Sequence, residues 1–194
     1  MPAPTAAERA GARWGIDRVR ILHRPPDTGE EADLARALQR HLRHLPVVMF
    51  HDRLLPGGAL AEFIAVGPGG ITAIVGAGRV AGPLRVERLR GMFGAYAELL
   101  RDGAAADRTA LLAPVAARVV AVRALVGAGA PVCGALCLGT DDGPEVLRPL
   151  LVGDLHVGSP RAVASFCARE GRLTDTEVAA LVDALDAACP AALY

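Results

Sequence analysis

Aromatic residues are scarce in this chain, at 4% of its 194 residues, and formal charge of either sign is balanced to zero. No global basic field therefore advertises a nucleic acid or an anionic membrane as partner. Only a local patch can serve one. The four cysteines, at 133, 137, 167 and 189, form no CxxC pair. Cys133 and Cys137 fall on one face of an expected strand, about 13 Å apart at about 3.3 Å per residue. That is too far to share a metal ion or a disulfide. All four read as reduced cysteines filling core space. The N-terminal residues lack the apolar stretch of a signal peptide. The most apolar region, 110–139, is broken by Arg118, Arg123 and Pro131, so it offers no uncharged span of about 18 residues to cross a membrane. These absences point to a cytoplasmic protein without a membrane role. The surplus of Ala, Gly, Arg and Pro reads as a coding bias more than a fold signal.

What is present is enough for one domain with a sizeable core. Residues 1–27 read as a partly disordered N-terminal segment, with a short strand at 18–23 ended by Pro25-Pro26. Residues 28–190 read as a single domain. A helix is expected over 29–44, capped by Asp27 or Thr28, with Leu34, Ala37, Leu38 and Leu42 at helical spacing. Pro46 stops it, and 47–50 reads as a strand. Alternation of apolar and charged residues over 84–90 suits a strand, with a helix running on to 101 as the competitor. From about 108 to 127 the pattern Leu111, Leu112, Val115, Val119, Val122 and Leu125 predicts an amphipathic helix, with Pro114 tolerable if the helix begins near 112. Strands are expected at 132–138 and 154–158, and helices at 160–169 and 175–188. Thr174 and Glu177 form a capping box for the last of these.

Two apolar runs, 61–67 and 71–76, flank Pro68-Gly69-Gly70, where Pro presets a turn and Gly supplies positive φ. This is a tight β-hairpin, with one acidic residue, Glu62, in its first strand. The arrangement resembles the core hairpin of the nuclease-related domain (NERD) family, within the restriction-endonuclease-like PD-(D/E)xK superfamily. Gly29-Glu30-Glu31 and the helix to Leu38 resemble that family's opening helix. The stretch from Val47 to Pro56 resembles its next strand and loop. Asp107 with the following helix, the strand from Val132 and the tail from Gly171 also fit, so the resemblance spans roughly 28–190. It implies a three-layer αβββαβ core, a mixed central sheet flanked by helices, with a C-terminal helical extension.

An active member of that family gathers carboxylates around Mg²⁺, which favours a rigid octahedron of oxygen ligands. The metal polarises the phosphate and lowers the pKa of the attacking water, while a lysine orients that water. Laid onto the family pattern, Glu31 falls at the helix acid, with Glu30 as a one-residue alternative. Glu62 falls at the first strand acid, Val75 at the second, Ala77 at the lysine and Arg118 at the helix glutamine. Glu31 and Glu62 can each supply an oxygen ligand; Val75 and Ala77 cannot act in the chemistry. Glu31 reads equally as a first-turn acid favoured by the helix dipole. Glu62 reads as paired with a cation such as Arg118, or as solvated at a sheet edge.

Arg79 shares a strand face with 75 and 77 and can reach a phosphate, but as a permanent cation it cannot act as a base. Gly76, Gly78 and Gly82 depart from GxGxxG spacing and read as loop glycines. The histidines read as solvated; His41 and His44, three apart on a helix, lack a third zinc ligand. The leading reading is a NERD-like domain that has lost nuclease activity and acts as a binding or scaffold module. It can receive nucleic acid weakly through Arg79, Arg108, Arg118 and Arg123. The alternatives are a Mg²⁺-dependent DNA endonuclease with a rearranged site, and a protein–protein module. No cofactor is expected under the leading reading, and the sequence leaves the oligomeric state open.

Overall fold

The computed structural model describes residues 29–77, 84–92, 94–139 and 149–192. The expected strand at 18–23, the expected boundary after residue 27 and the expected caps Asp27 and Thr28 lie outside the described residues.

Helix α1, Glu30–Leu42, opens at Gly29, whose φ of 101° suits a residue without Cβ and which provides no side-chain cap. Leu34, Leu38 and Leu42 bury the expected stripe, with Ala32 and Ala35 beside them. Strand β1, Val48–Leu54, pairs antiparallel with β2, Leu60–Gly67. Strand β2 turns through Pro68-Gly69 into β3, Gly70–Gly76, completing the expected hairpin. Gly70 takes φ of 110°, and a Cβ there would come within 2.4 Å of the Pro131 carbonyl oxygen. No side chain fits at that position.

Strands β4, Leu84–Gly91, and β5, Gly94–Arg101, form an antiparallel ribbon that gains a short third strand, β6, Ala104–Ala105. Alternation over 84–90 therefore yields a strand, and the competing helix to 101 does not form. Val86 and Leu99 face each other across the ribbon and both are buried, a pairing that a helix through these residues would break.

Helix α2, Arg108–Val126, fills the expected range of about 108–127 and starts ahead of the alternative near 112. The Asp107 carboxylate accepts the Ala110 N–H at 3.1 Å, which sets the start there and leaves Pro114 inside the helix. The stretch Arg108–Gly129 is long and apolar enough by composition to cross a membrane; in this fold it lies on the sheet with Leu111, Val115, Val119 and Val122 buried. Then come β7, Val132–Cys137, β8, Leu150–Val152, and β9, Leu155–Gly158. Helices α3, Pro160–Cys167, and α4, Asp175–Ala188, close the fold. The capping box of α4 forms as expected, the Glu177 carboxylate accepting the Thr174 N–H at 2.8 Å.

The main sheet runs β1-β2-β3-β7-β9-β8. It is mixed: β3, β7 and β9 are parallel, and the remaining pairs are antiparallel. Helices α1 and α3 cover one face over Phe63, Ile74, Ala135 and Cys137. Helices α2 and α4 cover the other, over Phe50, Ile64, Ile71 and Ala73. A third cluster extends that second face from Leu111 and Val115 out to Val86 and Leu99 of the ribbon. The chain is thus an α/β structure with a mixed sheet flanked by helices. Its outer edge at β1 is covered in part by the C-terminal segment: Leu54 N–H donates to Pro190 O and Ala192 N–H to Asp52 O, each at 2.9 Å. Covering an edge this way removes a template for unwanted pairing.

Candidate functional site

Strand β1 carries three consecutive ionisable residues, His51, Asp52 and Arg53, within an apolar run. The ladder pairs His51 with Phe63 and Arg53 with Ala61, which leaves Asp52 and Glu62 facing each other between them. Asp52 adopts φ of 46°, the left-handed region that aspartate tolerates better than most residues. Two-residue alternation reverses there. Phe50 and Arg53 end on one face, the guanidinium 4.8 Å over the ring. On the partner strand Ala61 and Ile64 likewise share one cluster. Both strands break their two-residue alternation at this step, β1 at Asp52 and β2 at Glu62.

Each member of this kink is held. His51 is fully buried, its Nδ1 2.9 Å from Asp52 Oδ2 and its ring edge-on to Phe63 at 4.8 Å. The expectation that the histidines are solvated is therefore wrong for His51, whose place in β1 puts it inside the core. It is also wrong in part for His156, which is half-buried on Phe166 at 3.8 Å between ring centroids. Arg53 donates through Nη1 to Cys189 O at 2.7 Å and through Nη2 to Asp186 Oδ1 at 2.6 Å. It ties β1 to the C-terminal end of α4, where cations satisfy the last carbonyls.

Glu62 is half-buried, and its Oε2 accepts the Gly76 N–H at 2.8 Å. The expected ion pair with Arg118 is replaced by other bonds. Arg118 Nε donates to Leu60 O at 3.1 Å and Nη1 to Pro114 O at 3.2 Å, stitching α2 to the start of β2.

Val75 is buried, as an apolar side chain in an acid's place should be, and Ala77 with it. Both belong to the cluster of Leu111, Val115 and Leu136, roofed by Val86 and Leu99. The Glu62 carboxylate lies elsewhere. It reaches the flank of Gly76 where Leu34 of α1 stands: a Cβ on Gly76 would meet Leu34 at 2.7 Å and Glu62 Oε2 at 3.4 Å. Val75 and Ala77 thus face α2, whereas the Glu62 carboxylate approaches from the side of α1. Glu31 lies in the first turn of α1; its side chain, and the whole of Arg79, lie outside what is described.

Of the arginines read as nucleic-acid contacts, Arg108, Arg118 and Arg123 all lie along α2. Arg108 and Arg123 are both exposed near opposite ends of α2, about 22 Å apart at about 1.5 Å per residue. Arg123 also donates to Val132 O at 3.1 Å. Among the described residues no three His, Cys, Asp or Glu side chains converge in a way that could hold a metal ion.

Two features lie beyond the reach of sequence reasoning. The first is the His51–Asp52–Glu62 kink, for which three successive ionisable residues in an apolar strand are the only signal. The second is the outer ribbon. Arg88 stands across from Ala97 and Arg90 across from Ala95, both arginines exposed. Arg85 is instead neutralised by Glu87 at 2.9 Å on the opposite face of the ribbon. Met92 at the tip is 91% exposed.

No known sequence family, no curated protein and no solved structure matches this chain.

Proposed function

We propose that this chain is a NERD-like, restriction-endonuclease-type module that has lost hydrolytic chemistry and serves to bind a partner, nucleic acid being the favoured class, in a cytoplasmic setting. The observation that carries the reading is the surroundings of Val75 and Ala77. The two positions where the resemblance demands a metal ligand and a lysine are apolar and sit inside a closed apolar cluster. A carboxylate and an ammonium there would face Leu111, Val115 and Leu99, apolar side chains that cannot support a hydrated Mg²⁺. The sequence contains no lysine at all, its 21 basic residues being arginines, so none can move in from elsewhere. The order α1-β1-β2-β3, then the ribbon β4-β5-β6, then α2-β7 agrees with the αβββαβ order of the resemblance once the ribbon is set aside as an insertion.

Nucleic acid is favoured over a protein partner by one local feature. Arg88 and Arg90 project from a narrow ribbon opposite alanines, so a phosphate backbone can approach both closely. A two-stranded ribbon is narrow enough to enter a major groove. With zero net charge the affinity rests on these few contacts and is weak and salt-dependent. Fluorescence anisotropy with a labelled duplex tests this. Binding is expected to need no divalent metal, and the double variant Arg88→Ala, Arg90→Ala should reduce the slope of log K against log salt by about 2. An unchanged slope would move the partner away from the ribbon.

A further inference from the structure

Helices α2 and α4 lie beside each other on one face of the main sheet and share one apolar cluster, Val119 and Val122 of α2 with Val178, Val182 and Leu185 of α4. Their outer sides are apolar too. Of the most apolar 18-residue stretch of α2 only 22% is buried. Ala113, Ala117, Val120 and Ala124 recur at helical spacing on the side away from the sheet, all of them exposed, Val120 at 65%. On α4 the exposed residues Ala180, Ala184 and Ala187 repeat that spacing. A helix this apolar, with so little of it buried, leaves a face of a kind that usually meets a partner.

Charge on this layer is divided between the two helices. Helix α2 carries Arg108, Arg118 and Arg123 and no acid, whereas α4 carries Asp175, Glu177, Asp183 and Asp186 and no base. Arg118 and Arg123 donate to backbone carbonyls and keep their charge in doing so. Asp186 is bound by Arg53 of β1 at 2.6 Å. A polyanion, whether nucleic acid or an anionic membrane, would meet the acids of α4. A polycation would meet the arginines of α2. The complement of a basic helix beside an acidic one is an acidic helix beside a basic one. A second copy of this chain, turned about a twofold axis, presents that pattern.

We infer that the α2/α4 layer is an interface between two copies of this chain, with α2 of each copy lying over α4 of the other. The apolar rows then form the centre and the charged residues the rim, as in specific interfaces generally. At about 1.5 Å per residue and about 10 Å between neighbouring axes, the two helices cover about 500 Å² in each copy. A pair of copies therefore buries about 1,000 Å² in total, the least expected of a specific interface, so the dimer is a weak one that dissociates in the micromolar range. This interface is independent of the proposed nucleic-acid contact, which uses Arg88 and Arg90 of the ribbon.

Sedimentation equilibrium of the full chain across the micromolar range tests this, and a monomer–dimer equilibrium is expected. Val120→Glu, at an exposed position, should raise the dissociation constant at least about tenfold by burying an unpaired carboxylate in the interface. The double variant Arg108→Glu, Arg123→Glu should do the same, and so should Asp175→Arg, Asp183→Arg, because each sets like charges face to face. An equimolar mixture of these two charge-reversed proteins should recover most of the native affinity, since each α2 then meets an α4 of opposite sign. If a charge-reversed protein fails to fold, as its urea midpoint shows, the native chain and Val120→Glu decide. A native chain that stays monomeric throughout would overturn the proposal. So would a dimer indifferent to Val120→Glu, or a mixture of folded charge-reversed proteins that stays monomeric. A monomer that binds phosphatidylcholine vesicles, or one that dimerises only after removal of residues 1–28, would also overturn it, giving the face to a lipid surface or to that segment.

Discussion

Position 75 decides how the hairpin is understood. A valine in an apolar run signals burial by its chemistry alone, and the structure buries it among Val86, Leu99, Leu111 and Val115. Val75→Asp should therefore cost several kcal/mol, the penalty of an unpaired buried carboxylate, read as a fall in the urea midpoint. A loss under about 1 kcal/mol would mean that the side chain reaches water, and would reopen the catalytic reading. Glu62 was legible as an isolated acid but not as to its partner, because its bond to the Gly76 N–H is made to the neighbouring strand and leaves no local signal. His51 was misjudged for a related reason: composition suggests a solvated histidine, and only the placement of β1 inside the sheet buries it. His156 gives a pH signature. Burial and Arg169 lower its value from 6.5, so the unfolded chain binds the proton more readily than the folded one. Its contribution to stability is complete above the unfolded value and is lost as pH falls through the lower folded one. Urea midpoints at about pH 7.5 and about pH 5.5 should differ, lower in acid, and His156→Gln should shrink that difference. An unchanged difference would place the titrating group elsewhere.

Elements with strong local signals were readable before any coordinates. The hairpin follows from Pro68-Gly69-Gly70, and α4 from its capping box, because each signal acts within a few residues. The ribbon was only half visible. Its first strand alternates, but β5 competes with a helical pattern, and the choice is made by Leu99 burying against a cluster drawn from β3, α2 and β8. Strands β6 and β8 are too short to carry a pattern of their own. Helix α2 starts at Arg108 and not near 112 because the Asp107 cap outweighs avoidance of an internal proline. How closely α2 sits on the sheet is set by Gly134 of β7. A Cβ there would meet Leu155, Val115 and Val119 at 2.6, 2.7 and 2.8 Å. Gly134→Ala should therefore destabilise by about 1–3 kcal/mol through overpacking, measured by denaturant unfolding. A neutral result would mean that α2 can move away from β7 without loss.

At the scale of the whole molecule, a mixed sheet covered by helices on both faces buries Val75 and Ala77 on the α2 side and sends the Glu62 carboxylate toward α1. The charge balance supplies no long-range steering, so any nucleic-acid partner must be held by local arginines such as Arg88 and Arg90. The central claim is that the hairpin cannot support metal-dependent hydrolysis, and a cleavage assay tests it most directly. Purified protein is incubated with supercoiled plasmid and with single-stranded DNA in Mg²⁺ or Mn²⁺, beside Glu62→Ala. The account predicts intact DNA throughout, with wild type and variant alike. Metal-dependent cleavage by wild type that disappears in Glu62→Ala would contradict it.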